Sequence, residues 1–294
     1  MQYYKLLGLE KEPFSTSPDP DFLFLSREYD LALTNILIEL RLRRGLNVIL
    51  GEIGTGKTTL SRKLVKELSE RDPFVFHVVL NPTFEGEKEF LASLVKNFQI
   101  PVPVGKELDT LPISDMRDLF EKFLLSKTLN ENKTVVLIID EAQKLSAETM
   151  ESLRILLNYE TNEYKLIQLV LLGQLEFYSK ILQMQNFYDR IDFKFTLNPL
   201  GFEETRDMVQ FRIRQAGYTG LKQLFQDEAV NEIYNYTKGY PRSIIRICHN
   251  CLRKLVVNKV STVVDKRIAS EIIAKDSALR WQNTGIPQKT NSLG

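Results

Sequence analysis

The sequence predicts an α/β protein in which a parallel sheet is sandwiched between helices and followed by a small all-helical domain. Three observations carry that prediction. Through the first two thirds of the chain, apolar strand-like runs alternate with helical patterns, as in a parallel sheet covered on both faces. After Pro199 the strand signals stop and only helical periodicities follow. Finally, the run LNVILGEIGTGKTTL at 46–60 is apolar, breaks into a glycine-punctuated turn, and resumes with Lys-Thr-Thr.

Each element has a local reason. Residues 1–26 form an irregular, Pro-bearing lead-in (EPFSTSPDPDFLFLS) ending at Ser26, an N-cap for a helix to about Leu42. The basic cluster Arg41-Leu42-Arg43-Arg44-Gly45 sits at that helix's end, where cations complement the dipole and the orphan carbonyls. Leu46 to Leu50 reads as a buried strand and Thr58 to Leu68 as a helix with Leu60, Leu64, Val65 and Leu68 on one face. Further strands are expected at Val75 to Leu80, Thr134 to Asp140, Ile167 to Gly173 and Asp192 to Leu197, with helices at about 86–99, 114–128, 146–160 and 175–186. Residues 203–216, 227–237, 241–257 and 267–275 read as the helices of the second domain, with a short STVV segment between the last two. From Trp281 the chain is polar and aperiodic, the composition of a disordered tail. The expected domains are thus the lead-in 1–26, a nucleotide-binding α/β domain 27–200, a helical lid 201–280 and the tail 281–294.

Composition narrows the class. A net charge of +1 gives no global pull toward nucleic acid or anionic lipid, so such binding needs a local patch. No stretch approaches the ~18 consecutive apolar residues of a membrane helix, and MQYYKLLGLEKEPF lacks a signal-peptide pattern. The expectation is a cytoplasmic protein with no transmembrane segment.

The spacing Gly51-x-x-x-x-Gly56-Lys57-Thr58 is that of a phosphate-binding P-loop. Backbone N–H groups of Gly51, Glu52, Ile53, Gly54, Thr55, Gly56, Lys57, Thr58 and Thr59, with the helix dipole, would surround the phosphates of ATP. Lys57 would neutralise the β- and γ-phosphates, and the Thr58 hydroxyl would ligate Mg²⁺.

The strand TVVLIIDEAQ at 134–143 ends in Asp140 and Glu141. Asp140 can hold Mg²⁺ through water and Glu141 can deprotonate a hydrolytic water; taken alone, the pair could merely cap the next segment. At least one strand lies between the two motifs in sequence. That suits the nucleoside triphosphatases whose P-loop and carboxylate strands are separated by an extra strand and whose catalytic Glu follows the Asp. Three more polar groups are candidates, each with a plain surface role as the alternative. Gln174 ends an apolar strand and could meet the γ-phosphate or the attacking water. Arg190 precedes the last strand and could reach a neighbouring subunit's nucleotide. Arg242 follows Gly239-Tyr240-Pro241 at a helix start and could close over phosphates from the lid.

In order along the chain, YYKLLGLEKEPFSTSPDPDFLFLSREYDLAL, GEIGTGKTT, VLIIDEAQ, LLNYETNEYKLIQLVLLGQLEF, DRI and GYPRSIIRICHNCL resemble the AAA+ ATPase domain of the general secretion pathway protein A family over about residues 1–275. The resemblance implies an AAA+ fold with a helical lid, with Gln174 as sensor 1, Arg190 as arginine finger and Arg242 as sensor 2. Where that family reads GQPEL, this chain has Gly173-Gln174-Leu175-Glu176-Phe177, keeping the polar group. Family members continue into a membrane helix and a periplasmic cell-wall-binding region, whereas this sequence ends after the lid.

Cys248 and Cys251 form a C-x-x-C inside a helical pattern, with no second Cys/His pair to make zinc or redox chemistry; buried core thiols are expected. On the same helix Arg242, Arg246, His249 and Arg253 line one face, and no acid occurs between Pro241 and Ser261. Such a stripe is either a solvated face or a contact for phosphates of DNA or an acidic subunit. The expected activity is ATP hydrolysis by a homo-oligomer that assembles or remodels a protein partner, most naturally secretion or pilus machinery of the cell envelope. The alternative is an ATP-dependent regulator of transposition that binds double-stranded DNA.

Overall fold

A computed structural model describes residues 3–15, 20–70, 73–258 and 262–284. The chain divides into two compact units, one of residues 18–198 and one formed by 1–17 together with 199–294.

The first unit opens with the helix Arg27–Leu42 (α1), capped by the Ser26 hydroxyl, which accepts from Tyr29 N–H. At its other end Arg43 is left-handed and its N–H returns to the Glu39 and Leu40 carbonyls. The Arg43 side chain reaches distant parts of the chain, donating to Thr134 Oγ1 and Asn132 and stacking on Tyr164.

There follow the strand Leu46–Gly51 (β1), helix Lys57–Ser69 (α2), strand Phe74–Val79 (β2), helices Glu87–Asn97 (α3) and Ile113–Leu125 (α4), and strand Thr134–Ile139 (β3). Helix Ala147–Leu156 (α5), strand Ile167–Gly173 (β4), helices Glu176–Leu182 (α6) and Gln185–Tyr188 (α7), and strand Ile191–Leu197 (β5) complete it.

The sheet order is β2-β3-β4-β1-β5, and every pairing is parallel. β1, β3 and β4 are buried along their whole length, which is why they read as unbroken apolar runs. Leu46, Val48, Leu137, Leu169 and Leu171 point to the layer that holds Phe90, Phe120, Leu153 and Phe177. Ile49, Val136, Ile138, Val170 and Leu172 point to the opposite layer, against Ile36 and Leu40 of α1 and Leu60 and Leu64 of α2. At the edge, β5 alternates half-buried Ile191, Phe193 and Phe195 with exposed Asp192, Lys194 and Thr196.

Several expected boundaries move for physical reasons. The strand separating β1 from β3 in space is β4, not the intervening β2, which lies at the edge. Helix 175–186 is two helices, broken at Met184, and the break turns Phe187 into the core. α4 ends at Leu125 in a wide turn closed by Glu131 N–H to the Ser126 carbonyl. α5 stops at Leu156, and Glu160 instead pairs with Lys165 across a short turn.

In the second unit, helices Phe202–Gln215 (α8), Asp227–Thr237 (α9), Pro241–Asn258 (α10) and Lys266–Thr284 (α11) pack around Val209, Ile233, Ile244, Ile247 and Leu252. Val264 bridges to Phe225 as a single parallel pair. Gly239, at φ 78°, lies so close to Leu200 that an added Cβ would sit 1.9 Å from the Leu200 carbonyl oxygen; Leu200 N–H donates to the Gly239 carbonyl. Only glycine fits that approach, and Pro241 then starts α10 where its missing N–H costs nothing.

The lead-in's first residues belong here. Buried Arg212 donates to the Pro13 and Ser15 carbonyls, and Phe14 packs edge-on against Phe225. α11 runs to Thr284, so the expected disorder from Trp281 is corrected for 281–284, which continue a helix just before Gly285 in the sequence; 285–294 lie outside the described residues.

Candidate nucleotide site

β1 ends at Gly51 and α2 begins at Lys57, so the turn 51–56 projects from the carboxyl edge of the sheet, where ligands of such sheets bind. Gly56 caps α2 at φ 99°, and a Cβ there would meet the Tyr29 hydroxyl at 2.3 Å. Gly54 is also left-handed at φ 88°. Thr55 is buried and its hydroxyl donates to the Glu52 carbonyl at 2.9 Å, bracing the turn from inside; Ile53 at its tip is 64% exposed. The first-turn N–H groups of α2, including those of Thr58 and Thr59, have no intrahelical partner by geometry and face the turn.

Lys57 is 7% exposed, and its ammonium donates to the Gly51 and Glu52 carbonyls at 2.8 and 3.0 Å. Burial pushes its pKa down, opposed by the carboxylates of Asp140 and Glu141. Those carboxylates follow β3. Asp140 is buried at 2% exposure; burial raises its pKa, while the nearby Thr58 hydroxyl and the Glu141 N–H, which donates to Asp140 Oδ1 at 2.9 Å, oppose that. The hydroxyl of the P-loop helix and the carboxylate at the end of a strand two positions away thus act on each other electrostatically. A hydroxyl and a carboxylate are hard oxygen donors, so Thr58 and Asp140 suit Mg²⁺.

Glu141 has left-handed backbone (φ 56°, ψ 37°). Its Oε2 accepts from Gln143 Nε2 at 2.6 Å, and Gln143 Oε1 accepts from Gln174 N–H at 3.0 Å. The structure therefore places Lys57, Thr58, Asp140, Glu141 and Gln174 along one edge, with Gln143 linking the last two. The link through Gln143 is not foreseen from the sequence; its signal is the fourth letter of DEAQ, which gains meaning only beside Gln174.

Arg190 lies elsewhere. In the β1–β5 register, Leu46 faces Ile191 and Gly51 faces Leu197, so Arg190 stands at the end of the sheet opposite the P-loop. Its guanidinium donates to the Asn186 carbonyl at 2.6 Å and Asn158 Oδ1 at 2.9 Å, rather than pairing with Asp189 or Asp192. Arg242 is exposed at the second position of α10, in the helical unit.

The basic stripe is partly neutralised by acids that come from other elements. Arg246 pairs with Asp276, and His249 Nδ1 lies 3.0 Å from Glu12 Oε1 and 3.0 Å from the Tyr3 hydroxyl. Arg242 and Arg253 remain exposed, and Lys259 lies outside the described residues. Cys248 and Cys251 are free and fully buried, and burial pushes both thiols up. Among the described residues no group of three or more His, Cys, Asp or Glu is arranged to hold a metal, and no helix is long and apolar enough to cross a membrane.

Residues 40–181 match the AAA domain family. Over 252 residues the chain is 34% identical to the general secretion pathway protein A of Aeromonas hydrophila, covering 85% of this chain but 44% of that protein, so it spans less than half of that relative's length. It is similar in structure to the Aeropyrum pernix ORC1 protein in complex with DNA (TM-score 0.64, 14% identity, 93% of this chain and 72% of that one). It is also similar to the Aeropyrum pernix ORC2 protein in its ADPNP–ADP complexes (0.61, 18%, 85% and 67%) and the Thermotoga maritima RuvB Holliday junction branch migration motor (0.55, 16%, 84% and 68%). At these identities the structural likeness is one of fold.

Proposed function

This chain is an AAA+ protein related to general secretion pathway protein A, and from that premise we propose that it hydrolyses ATP as a homo-oligomer and uses the cycle to assemble or remodel a partner complex of the cell envelope, secretion or pilus machinery, from the cytoplasm. The observation that carries the catalytic part is that the P-loop after β1 and the Asp140-Glu141 pair after β3 leave the same carboxyl edge of one parallel sheet, with only β4 between them.

In this reading Lys57 exchanges its carbonyl partners for the β- and γ-phosphates. Thr58 and Asp140 would hold Mg²⁺, which would offset phosphate charge. Glu141 takes a proton from water as the water oxygen attacks the γ-phosphorus, the bond to the β–γ bridging oxygen breaks, and ADP leaves with that electron pair. Gln174 orients the water or the γ-phosphate. Arg190, remote from its own P-loop, serves a neighbouring subunit's nucleotide, and Arg242 serves the phosphates from the lid.

The test is the ATPase rate across protein concentration, with and without double-stranded DNA. A rate that climbs with concentration and ignores DNA supports this function. Strong stimulation by DNA would replace the secretion or pilus role with that of a DNA-bound ATP switch of transposition, in which Arg242 and Arg253 meet phosphates. No hydrolysis at any concentration would leave a nucleotide-binding module only.

A further inference from the structure

We propose that Gln143 is the positioning residue of Glu141, holding the base through one oxygen and referring it to the β4 end at Gln174. The inference deepens the proposed function and rests on Glu141 being the general base.

Three observations meet at this side chain. Gln143 is 7% exposed, so its amide must find partners within the protein. Its Nε2 faces a carboxylate, which only accepts, and its Oε1 faces an N–H, which only donates, so one orientation of the amide satisfies both. Its own carbonyl, with that of Leu145, accepts from Lys180 of α6, which ties the backbone behind the side chain to the helix that follows β4.

Glu141 needs such a holder. A left-handed conformation at a non-glycine residue is uphill and persists only where surroundings enforce it. The Glu141 N–H is fixed by Asp140 Oδ1 and its side chain by Gln143, so the residue is pinned at both ends. With Oε2 engaged by the amide, the carboxylate plane is set and the second oxygen is kept for the proton of water. This is the arrangement in which a base is itself oriented by a third group. Because Gln143 leans on the backbone N–H of residue 174, any shift of the β4 end moves the base with it. The base and the sensor strand therefore move as one.

The experiment uses Gln143→Met, which keeps the length and loses both hydrogen bonds, and Gln143→Glu, which keeps the acceptor for Gln174 N–H and loses only the donor. Each is made alone and with Glu141→Gln. Both single variants should lower kcat about 10- to 100-fold, the scale of a misplaced reacting group, with the ATP dissociation constant within about twofold of wild type. In the Glu141→Gln background the same changes should cost nothing further, because a residue acting only through Glu141 has nothing left to position. A second readout is stability. Gln143→Glu sets two carboxylates together and should lower Tm, and pairing it with Glu141→Gln should restore it. Full turnover in Gln143→Met with an inactive Glu141→Gln overturns the positioning role alone. An equal loss in both backgrounds makes Gln143 merely structural and also overturns it. Full turnover in Glu141→Gln removes the base itself, and the positioning role with it.

Discussion

Substitution of Arg190 by Ala separates a shared catalytic site from a self-contained one by magnitude. From the level of Leu46 and Ile191 to that of Gly51 and Leu197 is five steps along β1, and at ~3.3 Å per step the two ends of the sheet lie ~17 Å apart. Across that distance a unit charge is worth about 0.2 kcal/mol at the dielectric of water and about 1 kcal/mol at an effective value of 20. Acting on its own nucleotide, Arg190 could therefore change the rate by at most about fivefold. Donated to a neighbour's nucleotide in contact, an arginine supplies about 10³ to 10⁵. The fold cost should be small, since the bonds to Asn158 and the Asn186 carbonyl are exposed and worth ~1 kcal/mol or less. Arg190→Ala should thus bind ATP normally, melt within a few degrees of wild type, and lose more than ~10²-fold in kcat. Mixed with Lys57→Ala it should regain activity, because an intact P-loop on one variant meets an intact Arg190 on the other. A loss below about fivefold, with activity independent of concentration and no recovery in the mixture, would refute the argument.

Other expectations follow from single contacts. Glu141→Gln should retain ATP and turn over at least ~10²-fold more slowly in a single-turnover assay, whereas Lys57→Ala should lose tight ATP binding in a titration. Gly239→Ala should cost ~2 kcal/mol or more in denaturant unfolding, because the new Cβ meets the Leu200 carbonyl at a left-handed position. Cys248 and Cys251 should resist a thiol reagent until the helical unit unfolds, since burial disfavours the reactive thiolate. Burial also lowers the pKa of His249, against the pull of Glu12. The unfolded chain then binds the proton more readily, so this contribution is complete above the ordinary histidine pKa and is lost as pH falls through the folded value. Melting curves between pH 7.5 and 5 should show part of the acid-side loss missing in His249→Gln.

What the sequence disclosed depended on how local each signal is. The buried strands were legible because a parallel sheet covered on both faces makes continuous apolar runs, and Gly51-x-x-x-x-Gly56-Lys57-Thr58 is a contiguous device. The N-cap at Ser26 and the helix end in the 41–45 cluster are legible for the same reason, though the left-handed turn falls on Arg43. What escaped was set by distant partners. The place of β4 between β1 and β3 is a property of strand order, and no spacing along the chain encodes it. An α10 with no acid of its own looked like an open cationic stripe, yet Asp276 and Glu12 reach Arg246 and His249 from elsewhere. Gln143 reads along the chain as the tail of a motif, and only the fold sets its amide between Glu141 and the N–H of Gln174, 31 positions further on. The turn of Phe187 into the core, which breaks the helix at Met184, is a packing decision that periodicity does not foresee.

Arg212 and Phe14 have a consequence for how the protein is made. The helical unit is stitched from two segments on either side of the sheet, through contacts whose partners stand 197 to 246 positions apart. A ribosome delivers Leu9 and Phe14 before the sheet, yet the aromatic ring and buried guanidinium that receive this segment emerge only after the whole sheet has been synthesised. Those apolar side chains travel uncovered while the sheet folds, and joining them is the late, high-contact-order step. Removing the segment through Ser15 should therefore be felt far away along the sequence. It would strip the Arg212 guanidinium of the Pro13 and Ser15 carbonyls and uncover Phe225, while the strands that carry the P-loop are built without it.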